Sequence, residues 1–203
     1  MKNYFIAVIL FMFAFANAQK KFKIYEEDIL NYKSIYHIVN EKGEMVKELD
    51  SSKYIFSFNG NDYENFAIFS MRDESGWCAI DINEKLLFKV YNTSIGEPSP
   101  DGLIENKIRI VDDQNKIGFA DSSGKIIIQP QFEMVTSFHK GKAIIGRNCE
   151  KIPWGNHEEE GGCHHFSISC EQQGYINEKG EILQIGDYSF EEIQKKIKWK
   201  ELY

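Results

Sequence analysis

Apolar and polar residues follow one another along this chain in short bursts, and one burst recurs four times. Its copies are Ile38-Val39-Asn40-Glu41-Lys42-Gly43-Glu44, Ala79-Ile80-Asp81-Ile82-Asn83-Glu84-Lys85, Phe119-Ala120-Asp121-Ser122-Ser123-Gly124-Lys125 and Tyr175-Ile176-Asn177-Glu178-Lys179-Gly180-Glu181. Each reads as an apolar strand end, an Asn or Asp anchor, a turn, then a charge and a second strand. The anchors Asn40, Asp81, Asp121 and Asn177 stand 41, 40 and 56 residues apart. A period near forty belongs to repeat arrays and propeller blades, and the longer third interval predicts an insertion. An Asn or Asp opens a type I turn by bonding its side chain to the backbone ahead, and Gly43, Gly124 and Gly180 supply the positive φ that closes it. The second copy has Glu84 in that place, which predicts a remodelled or strained turn.

Between the turns lie strand candidates. Lys107-Ile108-Arg109-Ile110-Val111 alternates apolar and polar residues, and Asp112-Asp113-Gln114-Asn115 joins it to Lys116-Ile117-Gly118-Phe119 through a polar turn. Lys142-Ala143-Ile144-Ile145-Gly146 is another candidate. Lys125-Ile126-Ile127-Ile128 is expected to end at Gln129-Pro130, because proline cannot donate to a ladder. Each unit is thus a meander of about three strands. One meander buries too little apolar area to stand alone, so neighbours must stack. The predicted fold class is all-β: a repeat array of about four stacked antiparallel β-meanders, with a short C-terminal helix. Uneven unit lengths favour an open array over a closed propeller.

The run Lys116-Ile117-Gly118-Phe119-Ala120-Asp121, followed by Gly124-Lys125, Gln129-Pro130-Gln131-Phe132, Phe138, Gly141 and Ala143, resembles the bacterial WG repeat, also called the KWG repeat. Gln173-Gly174-Tyr175-Ile176-Asn177 matches the start of another unit. Trp77-Cys78-Ala79-Ile80-Asp81 keeps the Trp but has Cys78 in place of Gly, and the copy near His37 diverges most. The resemblance spans roughly residues 30–185 and is strongest over 102–146. It implies a β-rich repeat of cell-envelope, secreted or toxin-associated proteins with no shared catalytic residues.

Both ends of the chain differ from the array. Residues 1–18 are expected to be a signal peptide: Lys2 is followed by an apolar stretch from Tyr4 to Ala16, and Ala16-Asn17-Ala18 is a small-x-small cleavage site. That stretch is too short for an ordinary membrane span, and no span is expected after cleavage. The repeat domain is expected over 19–185, with an insertion at 148–171. Residues 186–203 should hold a capping helix, in which Ser189 and Glu192 form a capping box and Phe190, Ile193 and Ile197 share one face. The 203 residues contain 24 Lys and Arg against 31 Asp and Glu, a net charge of −7. Such a chain repels phosphate backbones, so no nucleic-acid partner is expected.

The insertion gathers the unusual chemistry. It holds Cys149, Cys163 and Cys170, along with His157, His164, His165, Trp154 and the acidic run Glu158-Glu159-Glu160; the fourth cysteine is Cys78. In an exported protein, disulfides are the default for an even number of cysteines. If the insertion lengthens a hairpin, Cys149 and Cys170 flank its base and are the favoured pair, although Cys163 and Cys78 are candidates too. The alternative is a zinc or copper site built from Cys149, Cys163 and Cys170 with His157, His164 or His165. No C-x-x-C pair supports it, and adjacent Cys163-His164-His165 would diverge on a strand.

Catalytic signatures are missing from the sequence. His157-Glu158-Glu159-Glu160-Gly161 lacks the second His of a zincin, and there is no nucleophile elbow, P-loop or dinucleotide fingerprint. His139, in an expected loop, reads as a surface histidine. Trp77, Phe119 and Tyr175 stand at equivalent or neighbouring repeat positions, as core ladders do, whereas Tyr63, Phe66, Tyr91 and Trp154 are less regular and could line a groove. The expectation is therefore an exported, periplasmic or extracellular binding or scaffold module with no cofactor and no catalysis. Its partner would be a protein or envelope component, met by the insertion through Trp154, His157 and Glu158 to Glu160.

Overall fold

The structure, a computed structural model, describes residues 23–29, 33–40, 42–58, 63, 65–93, 99–153 and 166–201. The elements of unit 1 are β1 (Lys23–Ile29), β2 (Lys33–Val39) and β3 (Met45–Glu48). A short β4 (Tyr54–Ser57) leads into unit 2, made of β5 (Ala67–Met71), β6 (Trp77–Ile80) and β7 (Leu86–Val90). The ribbon β8 (Asn92–Thr93) and β9 (Ser99–Pro100) precedes unit 3, made of β10 (Lys107–Val111), β11 (Ile117–Asp121) and β12 (Ile126–Phe132). A short β13 (Met134–Val135) enters unit 4, made of β14 (Lys142–Pro153), β15 (Phe166–Asn177) and β16 (Ile182–Gly186), and α1 (Phe190–Ile197) follows. Over the described residues the fold is all-β with antiparallel sheets, no closed barrel and one short helix. Among the described residues no helix is long and apolar enough to cross a membrane.

All four repeat turns share one construction. The anchor's Oδ1 accepts the N–H groups two and four residues ahead, as Asp81 does from Asn83 at 2.8 Å and Lys85 at 2.9 Å. Asn40, Asp121 and Asn177 accept the corresponding pairs. The third residue after the anchor is left-handed in every copy: φ is 79° at Gly43, 82° at Gly124, 78° at Gly180 and 62° at Glu84. Asp112 repeats the device with Asn115 at φ 59° in the left-handed slot. Just before each anchor the ladder then skips one residue of the third strand: Val46, Leu87, Ile127 and Leu183 each stand unpaired in a bulge. A type I turn plus a left-handed residue and bulge matches the twist of the strands it joins.

The central strand of each unit is buried on both faces, and this makes the array. The residue two before the anchor packs toward the next unit, and the residue one before packs toward the previous one. Ile38 meets Ile80, Leu49 and Phe69 between units 1 and 2. Ala79 meets Ala120, Ile108 and Phe66 between units 2 and 3, and Phe119 meets Ile176, Ile145 and Phe138 between units 3 and 4. The last layer lies under α1, where Ile144 packs on Ile193, Ile197 and Trp199. The helix begins as a capping box: Ser189 Oγ accepts the Glu192 N–H at 3.2 Å, and the Glu192 carboxylate accepts the Ser189 N–H at 2.7 Å.

Several expectations need correction. Units 2 and 3 do not merely stack: β7 and β10 pair, Ile110 opposite Val90 and Val111 opposite Lys89, which fuses them into one seven-stranded sheet. The β12 strand runs on through Pro130, because it is the outer strand of that sheet and loses no ladder bond there. Gly118 lets it pass close, since a Cβ would collide with the Ile128 carbonyl. His139 is buried rather than on the surface. Tyr63 and Phe66 line no groove; they stack on one another in the core with ring centroids 4.8 Å apart. Of the three repeat aromatics Phe119 alone is fully buried, while Trp77 and Tyr175 lie half-covered at the margins of their layers.

Candidate functional site

In unit 4 the first two strands are twelve residues each, against five for β10 and β11 of unit 3. The excess forms an arm. Beyond Arg147 and Gln172 the two strands continue to pair in strict register, through Glu150 opposite Ser169, Lys151 opposite Ile168, Ile152 opposite Ser167 and Pro153 opposite Phe166. Residues directly opposed in an antiparallel pair point to the same side. One side of the arm therefore presents the cysteines, Lys151 with Ile168, and Pro153 with Phe166; the other presents Glu150, Ser169, Ile152 and Ser167. The first side is half-covered on β15 and the second is exposed, with Ile152 44% accessible. Lys151 Nζ lies 4.5 Å from the centroid of the Phe166 ring, a cation–π contact that stiffens the pair.

The root of the arm is fastened in three ways. Cys149 and Cys170 face one another across the ladder and are joined as a disulfide. The bridge lies over Gly146, where a Cβ would collide with the Cys170 sulfur. The Glu133 carboxylate accepts the Cys149 N–H at 2.8 Å and meets Lys116 Nζ at 3.3 Å. The Cys149 amide does most to hold this carboxyl below its usual range; burial opposes it and Lys116 adds to it. Asn148, left-handed at φ 53°, donates from its side-chain amide to Glu171 at 2.7 Å. Beside the bridge is a shallow cleft of about 110 Å³ between Phe132 and Ile185.

The sequence candidates divide accordingly. Cys149 and Cys170 come together, and in the disulfide neither offers a thiolate to a metal. Cys78 is no disulfide partner: it is buried in β6 as a free thiol, three residues before Asp81, where units 3 and 4 have Gly118 and Gly174. Burial and the nearby Glu74 push its thiol up to about 11 despite Lys89, so it stays protonated and inert at neutral pH. Cys163, His157, His164, His165, Trp154, Glu158, Glu159 and Glu160 lie outside the described residues, as do residues 1–18, where a signal peptide is expected. Among the described residues no three His, Cys, Asp or Glu side chains are grouped to hold a metal.

What the sequence reading missed are the polar ties between units. Glu84, in the glycine slot, meets Lys47 Nζ at 2.6 Å, accepts the Tyr54 hydroxyl at 2.9 Å and joins unit 2 to unit 1. Arg109 clamps the buried Asp101 through two side-chain bonds of 2.6 and 3.0 Å, and Lys107 meets Glu178 of unit 4 at 2.6 Å. Glu105 of unit 3 accepts the backbone N–H groups of Lys140 and Gly141, successive left-handed residues whose amides converge. Glu84 alone was signalled, by standing where its equivalents are glycine.

No curated protein matches the chain. Residues 117–148, which run from the start of β11 to the root of the arm, match the family described as "WG containing repeat". The match begins at the Ile117-Gly118 pair over which β12 crosses and takes in the Asp121 turn, both of them features that the structure repeats in other units. The chain therefore contains a WG repeat over these residues.

Proposed function

We propose that this protein is an exported β-repeat module that binds a protein or another component of the cell envelope, catalyses nothing itself, and makes its contact through the arm. One observation carries the reading: the arm is a strand pair that leaves its sheet and is fastened at the root by a disulfide, on a body whose other central strands are buried on both faces. A rigid base with an extended strand pair serves recognition, because the cost of ordering those strands is met before the partner arrives. The leader-like residues 1–18 support export, and a disulfide persists in the oxidising space outside the cytoplasm.

The test shortens the arm and leaves its root intact. Replacing residues 151–168 with Asn-Gly closes the hairpin between Glu150 and Ser169 by a two-residue turn. The shortened protein should melt with the parent, and partners retained from an envelope fraction by the immobilised parent should be lost. Equal retention by both would remove the arm as the contact.

A further inference from the structure

The third strand of each unit has an outer edge, and unit 2 shows what that edge accepts. There β7 is paired by β10, which arrives antiparallel and ends in Asp112-Asp113, with the Asp113 carboxylate 3.1 Å from Lys89 Nζ. Arg109 of the arriving strand sits opposite Tyr91: its carbonyl accepts the Tyr91 N–H at 3.0 Å, and its guanidinium lies 4.6 Å from the ring centroid. In units 1, 3 and 4 the same edge, on β3, β12 and β16, has no strand partner among the described residues.

Those three edges are guarded differently. Native sheets blunt an open edge with charges, prolines or short strands. The β3 edge has four residues, two of them Lys47 and Glu48, and β12 carries Pro130. The β16 edge, Ile182-Leu183-Gln184-Ile185-Gly186, has neither charge nor proline and leaves Ile182 45% and Leu183 50% exposed. Its flanks are acidic, a reversal of charge at one end, where unit 2 has lysine, and a new charge at the other, where it has tyrosine. The positions held there by Lys85, Lys89 and Tyr91 are here Glu181, Ile185 and Asp187.

Those acidic flanks select the occupant. A second copy fits poorly through its β1, which carries Glu26, Glu27 and Asp28, or through its own β16, since two such edges placed antiparallel about Gln184 would set Glu181 against Asp187. We propose that the outer edge of β16 is a strand-addition site for an extended partner segment, apolar in the middle, with Lys or Arg at both ends to meet Asp187 and Glu181. The backbone ladder supplies affinity and the two end charges supply register and selectivity. This site is separate from the arm, so it stands or falls independently of the reading above.

The probes are two capped, fluorescein-labelled peptides, Arg-Ile-Val-Ile-Thr-Val-Arg and Glu-Ile-Val-Ile-Thr-Val-Glu, titrated against the full chain by anisotropy. The basic peptide should bind saturably and at least tenfold more tightly than the acidic one, and should slow amide exchange in 182–186. Leu183→Lys, a change at a half-exposed bulge residue, should weaken it at least tenfold without lowering the melting temperature. The double variant Glu181→Lys/Asp187→Lys should prefer the acidic peptide. Failure of both peptides to bind, equal binding of the two, or indifference to Leu183→Lys would overturn the proposal. So would self-association of the chain that Leu183→Lys abolishes, since the occupant would then be a second copy.

Discussion

At each repeat anchor the choice between Asn and Asp is matched four residues on. Asn40 and Asn177 donate their amides to Glu44 and Glu181 at 2.7 Å, whereas Asp81, Asp112 and Asp121 are followed by Lys85, Lys116 and Lys125. A second match crosses units. In unit 4 the left-handed Gly180 sits under Ile128 of unit 3, while in unit 2 the left-handed Glu84 meets Lys47, at the position equivalent to Ile128. An apolar fit in one seam is replaced by an ion pair in the other. Burial alone would raise the Glu84 pKa, but Lys47 and the Tyr54 hydroxyl outweigh it and hold the carboxyl below its ordinary range. A depressed folded-state pKa contributes stability that is present above the ordinary carboxylate range and lost as pH falls through the folded value. Lys47→Ile or Glu84→Gly alone should cost about 1–2 kcal/mol at neutral pH, part of the glycine loss being offset by relief of the left-handed strain. The double variant should cost clearly less than the sum, and its stability should fall less steeply with acid. Urea titrations of the four proteins at neutral pH and below the carboxylate range measure both; strict additivity would show that the pair does not act as one.

Among the elements, the arm depends on the bridge for its anchorage and the repeat body does not. The bridge closes a separation of 21 residues, and its loss should cost about 3 kcal/mol, chiefly by freeing the unfolded chain. In Cys149→Ser/Cys170→Ser, amide exchange should therefore quicken along 149–153 and 166–170 while β10 and β11 keep their protection. Uniform acceleration would mean that the bridge holds the whole array. The turns, the helix start and the strand segments were legible in the sequence because their causes are local: an Asx side chain, a residue able to turn left-handed, a Ser and a Glu three apart. The pairing of Cys149 with Cys170 was only the favoured one of several in the sequence, which left Cys78 and Cys163 open as partners. The β7–β10 join was not legible, since it depends on two edges meeting, and Pro130 misled because its strand is an outer one. Nor was the burial of His139, in a loop tied down from far along the chain by Trp199 Nε1, which donates to the Ser137 carbonyl at 2.9 Å.

For the whole molecule, the repeat logic predicts that stability is a sum over neighbouring layers. The layer beneath α1 is the test. Trp199 packs on Phe190 and Ile144 and spends its indole N–H on Ser137, so Trp199→Ala should cost about 3–5 kcal/mol. Hydrogen exchange should then rise first in β14 and β15, under the cap, with β5 and β6 following only on global unfolding. Simultaneous loosening of all four units would show one indivisible core instead. The two-faced central strand also bears on how such a sequence drifts. Because one residue answers to the unit ahead and the next to the unit behind, a change in any unit is judged by its neighbours alone. Among the described residues, unit 1 has a neighbour on one side only, and it is the copy that has strayed furthest, with His37 where units 3 and 4 have glycine. The array is a chain of local agreements, and the copy with fewest obligations has kept the fewest of the common words.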